Sequence, residues 1–285
     1  MLNLAYRNCI ILLKDKRRIM GSLIGVLIAV ALYIVFLGHS LKSNFPDIQN
    51  IGFLVDSWAM AGIIAIASIT ASLSSLAPMI RDRETGRNKD LLISPITPVQ
   101  MAFGYIFSAI IVGFIMCLIT FFVSEIYIVA AGGALLSPAQ FAQVVGVIML
   151  TVVLATSIML FIVSLFKSMD TFGHAATIIS ALSGFLVGLY LPIGSLPPAV
   201  SNIIKVFPVS HGAVLLRQIM MNTPLTSIFT GDEEARSSLE QMLGVQFTWN
   251  GSVIGTGMEI GYMLLAAVVF FALATFVLSK KQKEV

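Results

Sequence analysis

Long apolar runs separated by short polar breaks dominate the chain. Six of these runs, 19–37, 59–80, 101–123, 141–166, 172–191 and 260–278, approach or exceed the roughly 20 apolar residues that carry a helix across a bilayer. The polar breaks differ in character. Residues 1–18 place Leu2, Tyr6, Cys9, Ile10 and Leu13 at helical spacing, with Arg7, Lys14, Lys16, Arg17 and Arg18 concentrated towards the end. That pattern predicts an amphipathic helix in the membrane interface, held by apolar burial and anionic lipid. Residues 81–100 form a charged loop, with Arg81, Arg83, Arg87 and Lys89 set against Asp82, Glu84 and Asp90. Within it 90–93 suits a short helix, broken by Ser94-Pro95 and Thr97-Pro98.

Proline organises the stretch 192–221. Pro197-Pro198 opens a helical run that Pro208 ends after about ten residues, a rise of about 15 Å or half the hydrocarbon thickness. A second short run, 211–221, follows. Two half-length helices predict a hairpin that dips in from outside, its backbone breaks shielded by protein. The polar segment 222–251 forms an external cap. Within it Thr230 to Glu234 starts a helix with acids at its positive end, and Gly244 ends it. Leu239, Met242 and Leu243 give that helix an apolar face to rest on the hairpin.

Composition narrows the class. Of 285 residues, 58% are hydrophobic and 11% charged, against about a quarter charged in soluble domains. The expectation is one all-α polytopic membrane domain over 1–285, with no room for a separate soluble unit. The net charge of +3 is a matter of topology rather than of nucleic-acid binding. With both termini cytoplasmic, only Lys42, Lys205, Arg217 and Arg236 among the cations fall outside, which sets the orientation in a cell membrane. The charged first 18 residues do not read as a cleavable signal. Cys9 and Cys117 stand far apart and support neither a metal site nor a disulfide.

Candidate chemistry is sparse. The chain has no G-x-x-x-x-G-K-[ST], H-E-x-x-H or G-x-S-x-G motif, so no catalytic, cofactor or metal residue is expected. Glu125 and Glu259 lie at span boundaries and read as interfacial acids, as do His39 and Asp56 at the ends of the first external loop. His174 reads as a hydrogen-bonded residue near the interface. Asn250-Gly251-Ser252 fits the glycosylation pattern, a frequent chance match. The spacing of Gly184 and Gly188, and of Gly21 and Gly25, predicts helix faces that admit a close neighbour.

Arg83, Glu84, Gly86, Leu91, Leu92, Ser94, Pro95, Gly104 and Ile106 together resemble the permease subunits of type 2 ABC exporters. Thr85-Gly86-Arg87 departs from the usual order there. The resemblance extends to Pro192, Leu196-Pro197, Phe207-Pro208 and Leu216-Arg217, with Phe207 where asparagine is frequent. It implies that 81–100 is the coupling element that docks on a separate ATPase through Arg81, Arg83, Glu84, Gly86, Leu91, Leu92 and Pro95. It also implies that Pro192, Pro197, Pro208 and Arg217 belong to an external gate, and that Gly184 and Gly188 pack against a second permease copy, identical or paralogous. The chain itself would hold no cofactor; ATP and Mg would sit in the partner. The cargo expected is an amphiphilic or hydrophobic drug, lipid or peptide, moved outward. The alternative class is an ion-coupled secondary transporter or channel, which needs intramembrane acids or repeated broken helices.

Overall fold

A computed structural model describes residues 2–14, 27–43, 51–86, 98–249 and 252–283. Helix α1 spans Leu2–Lys14 and α2 spans Leu27–Ser43, with a π turn at Tyr33–Leu37. Then come α3 (Ile51–Ser75), α4 (Ala77–Glu84), α5 (Pro98–Ala130), α6 (Pro138–Leu165) and α7 (Met169–Leu186). A 3-10 turn, Ile193–Ser195, leads to α8 (Pro198–Val206) and α9 (Pro208–Met220). The cap holds α10 (Asn222–Ile228), α11 (Glu233–Leu243) and the two-residue strands β1 (Thr248–Trp249) and β2 (Ser252–Val253). Helix α12, Thr256–Lys283, closes the described chain.

The helix limits follow from local chemistry. Ser137 caps α6 by accepting from the Gln140 backbone, and Gln140 answers from its side chain, a reciprocal pair that satisfies two amide donors. Asp232 accepts from the Ala235 amide at the start of α11, and Gly244 ends that helix at φ +65, as its sequence predicts. Prolines open α5, α6, α8 and α9, where a missing N–H costs nothing.

Among the described residues four helices are long and apolar enough to cross a membrane: Ile51–Glu84, Gln100–Ala130, Pro138–Leu165 and Thr256–Lys280. The α8–α9 pair, bent by 89°, is a broken span or a re-entrant hairpin. The expected span 172–191 is an 18-residue helix, α7, that stops at Leu186 and is not one of the four long and apolar enough to cross a membrane. The expected span 19–37 lies partly outside the described residues, as does the Gly21/Gly25 pair. Residues 81–84 belong to the helix rather than to the loop, so the chain leaves helical geometry only at Thr85.

Helix α3 is the hub. It packs on α5, α6, α7 and α9, and 83% of the apolar stretch in its span is buried, against 22% for α12. Ser72 of α3 and Thr156 of α6 share a hydrogen bond of 2.9 Å deep between the two helices. Near Leu76 the hub breaks. Pro78 at the second position of α4 has no N–H to give, and the chain turns there through a Leu76–Leu73 bond before resuming as helix.

Several acids are buried by protein instead of lying solvated at the interface. Asp56 is 2% exposed, paired with Lys42 at 2.9 Å and accepting from Tyr33 at 2.6 Å and Tyr127 at 3.3 Å. Glu125 is buried, its carboxylate 3.5 Å from the Leu136 amide. Glu259 is fully buried, and neither of its oxygens has a hydrogen-bond partner among the described residues. The reason is geometric: the helices run past their expected ends, so flanking residues still face neighbouring helices. His39 and His174 are exposed, as an interfacial position requires, with His174 a loose 3.8 Å from Asp170.

Candidate functional site: the two ends of a buried helix

At the end of α4 three consecutive side chains reach four different elements. Asp82, 2% exposed, takes a two-pronged bond from Arg7 of α1 at 2.9 and 3.0 Å and a third from Tyr105 of α5 at 2.8 Å. Such a fork fixes orientation as well as distance. The bond to Asp82 also raises the Arg7 guanidinium above its ordinary pKa. Arg83 turns the other way and donates to the carbonyls of Ser164 and Phe166, each at 3.0 Å. These lie at the C-terminal end of α6, where unpaired carbonyls and the helix dipole favour a cation. Glu84 accepts from the Met169 amide at 3.2 Å, at the positive N-terminal end of α7. One short helix therefore binds α1, α5, α6 and α7 together.

Of the coupling residues expected from sequence, Arg81 is exposed and its side chain makes no bond among the described residues. Gly86 turns the chain at φ +76, where the left-handed region admits glycine without strain. Leu91, Leu92 and Pro95 lie outside the described residues. Arg83 is half-buried and engaged with α6, whereas Glu84 is exposed and bonded to the start of α7.

The opposite end of α3 carries the second cluster. Arg217 of α9 is fully buried and donates to the carbonyls of Gly188 at 2.8 Å, Val187 at 3.3 Å and Gly244 at 3.4 Å. Its guanidinium lies 4.8 Å from the centre of the Trp58 ring, a cation–π contact. Trp58 itself donates to the Leu243 carbonyl at 2.7 Å. The C-terminal ends of α7 and α11 thus converge on one cation held against α3.

The hairpin corner meets its own backbone demand. Ser210 bonds the carbonyls of Ile204 and Phe207, His211 meets that of Lys205 at 2.9 Å, and Tyr262 of α12 donates to that of Val206 at 2.6 Å. Four successive carbonyls at a proline break are satisfied without water, the condition for non-helical backbone at membrane depth. Pro192 precedes the 3-10 turn and Pro197 and Pro208 flank the corner, so the four expected gate residues frame one substructure. Met242 of the cap is half turned to solvent, while Leu239 and Leu243 are buried.

Gly184 and Gly188 do not share a helix face. Helix α7 ends at Leu186, and Gly188 follows it at φ +65. The side of Gly184 is covered by the Tyr190 ring and that of Gly188 by Ile193. Both glycines are used within the chain. Trp58, Asp82, Arg7 and Tyr105 are the site residues that sequence reasoning passed over. Only Asp82, an acid set between Arg81 and Arg83 at the end of an apolar run, carries a local signal.

A helical membrane body, with a bonded cluster at one end of its central helix and a bent helix pair at the other, defines the class. The family of ABC-2 family transporter proteins matches residues 49–276, and this chain belongs to that family. It is the membrane component, the permease, of an ABC transporter; the ion-coupled alternative is set aside. Among curated proteins it is similar to Nodulation protein J of Rhizobium meliloti (strain 1021), 22% identical over 215 residues, 75% of this chain and 79% of that one.

Proposed function

We propose that this chain is the membrane subunit of an ATP-driven exporter and works by tilting α3. A separate ATPase, with ATP and Mg, closes against the segment 81–100; α4 passes the push to α3; Arg217 and Trp58 carry it to the hairpin, which opens outward for an amphiphilic or hydrophobic cargo. Two copies, or one with a paralogue, clamp the pathway. Both termini and 81–100 face the cytoplasm, in keeping with the placement of cations. The observation that carries the reading is the reach of α3 and α4: one buried rod bonded at one end to four elements and at the other to the hairpin. Rigid-body transmission needs such a rod.

Two variants test it. Arg81→Glu leaves every internal bond intact and reverses one exposed charge; it is expected to weaken co-purification with the ATPase by about tenfold, or 1.4 kcal/mol. Arg83→Ala cuts the link to α6 and is expected to keep the partner while uncoupling ATP turnover from cargo movement. Unchanged binding in the first and unchanged coupling in the second overturn the proposal.

A further inference from the structure

A cavity of about 380 Å³ opens between α6, α9 and α12 at the end of the molecule remote from α4. Its volume falls within the range of small-molecule sites. Its wall is graded. Gln143, Gln218, Asn222 and Thr256 line one part, and Gly146, Leu150 and Ile260 the other. Along α6 the lining runs from Gln140 and Gln143 to Val147 and Leu150, about 15 Å of depth from polar to apolar at helical rise. No charged residue contributes to it.

Part of this polar lining is committed and part is not. Gln218 donates to the Val245 carbonyl at 3.1 Å, and Thr256 sits 3.4 Å from its carbonyl oxygen. Gln140 bonds Thr223 at 3.3 Å. Among the described residues the Gln143 carboxamide has no partner, and only the oxygen of Asn222 is engaged, by Thr226 at 3.5 Å. Two carboxamides therefore offer both donors and acceptors at the polar end. At the apolar end a Cβ added to Gly146 meets no atom within 4 Å, so the space beside that backbone is open. The flank is α12, whose apolar stretch is only 22% buried, which places the opening on the hydrocarbon side of the bundle.

We infer that this cavity binds an uncharged single-chain amphiphile, its hydroxyl- or amide-bearing headgroup on Gln143 and Asn222 and its chain running past Gly146 towards the membrane centre. Amides without a formal charge nearby suit a neutral hydrogen-bonding headgroup. A charged headgroup would lose hydration there with no counter-charge to offset it. Binding at this place does not depend on the export mechanism, since the same chemistry is offered by outgoing cargo and by a neutral glycolipid of the bilayer.

The test uses the full chain in phosphatidylcholine nanodiscs and radiolabelled decyl maltoside, competed by decyl phosphate and decyltrimethylammonium. Saturable maltoside binding is expected, with both charged competitors weaker by at least about tenfold. Gly146→Phe should abolish binding with no loss of thermal stability, because the added ring enters open space. Gln143→Leu with Asn222→Leu should weaken it by about tenfold while leaving uptake of a plain decyl chain unchanged. With the ATPase present, label released by ATP identifies cargo, and label retained identifies a resident lipid; both support the site. Equal competition by all three headgroups, or undiminished binding in Gly146→Phe, overturns it.

Discussion

Arg217 is a buried cation with no carboxylate partner among the described residues. Three carbonyls and an aromatic face stand in for the counter-ion, which the planar guanidinium suits better than a point-charge ammonium. Removing it strands acceptors at two helix ends, each worth about 1–3 kcal/mol when buried and unpaired. Arg217→Met is therefore expected to lower stability by about 2 kcal/mol or more, read as a drop in the melting temperature of the detergent-solubilised protein, with Arg217→Lys recovering only part. Leu216-Arg217 stood out in the sequence, but as an external residue. Its burial was not legible, because the groups that bury it come from 58, 187–188 and 244 and converge only in the folded chain.

At the scale of the element, α1 is held to the bundle by packing on α5 and by the Arg7–Asp82 fork. Asp82→Asn keeps the Tyr105 contact and cancels the ionic part of the fork. Cys9, two residues from Arg7, is partly buried, and that burial raises its thiol pKa. The variant should speed maleimide labelling of Cys9 by several-fold at neutral pH, with the fully buried Cys117 as an internal control. An unchanged rate would mean that packing alone secures α1. The sequence shows α1, α11 with its Asp232 and Gly244 ends, and the proline-bounded pair α8 and α9, because caps and breakers act locally. It does not show the β1–β2 pair, which is too short to produce an alternating pattern. It also misplaces the end of α7, where Tyr190 and Ile193 fold back over glycines that read as a helix face.

For the whole molecule, hydropathy places the apolar runs because the bilayer requirement applies to each run separately. What it cannot give is which helix lies at the centre, since α3 and α12 read alike along the chain yet differ in burial from 83% to 22%. In the proposed mechanism that asymmetry puts the load on α3 rather than on α12. Pro78→Ala should let helix run unbroken from α3 into α4 by supplying the N–H that proline lacks, with a gain well below the interior-proline penalty because Pro78 lies in the first turn of α4. Its predicted signature is ATP turnover that rises in the absence of cargo, measured in the reconstituted complex. A fall to or below the native rate would count against the idea. On the proposed reading the turn at Leu76 is a joint within this path, and its stiffness sets how much of a displacement at Arg81–Glu84 would reach Trp58 and Arg217.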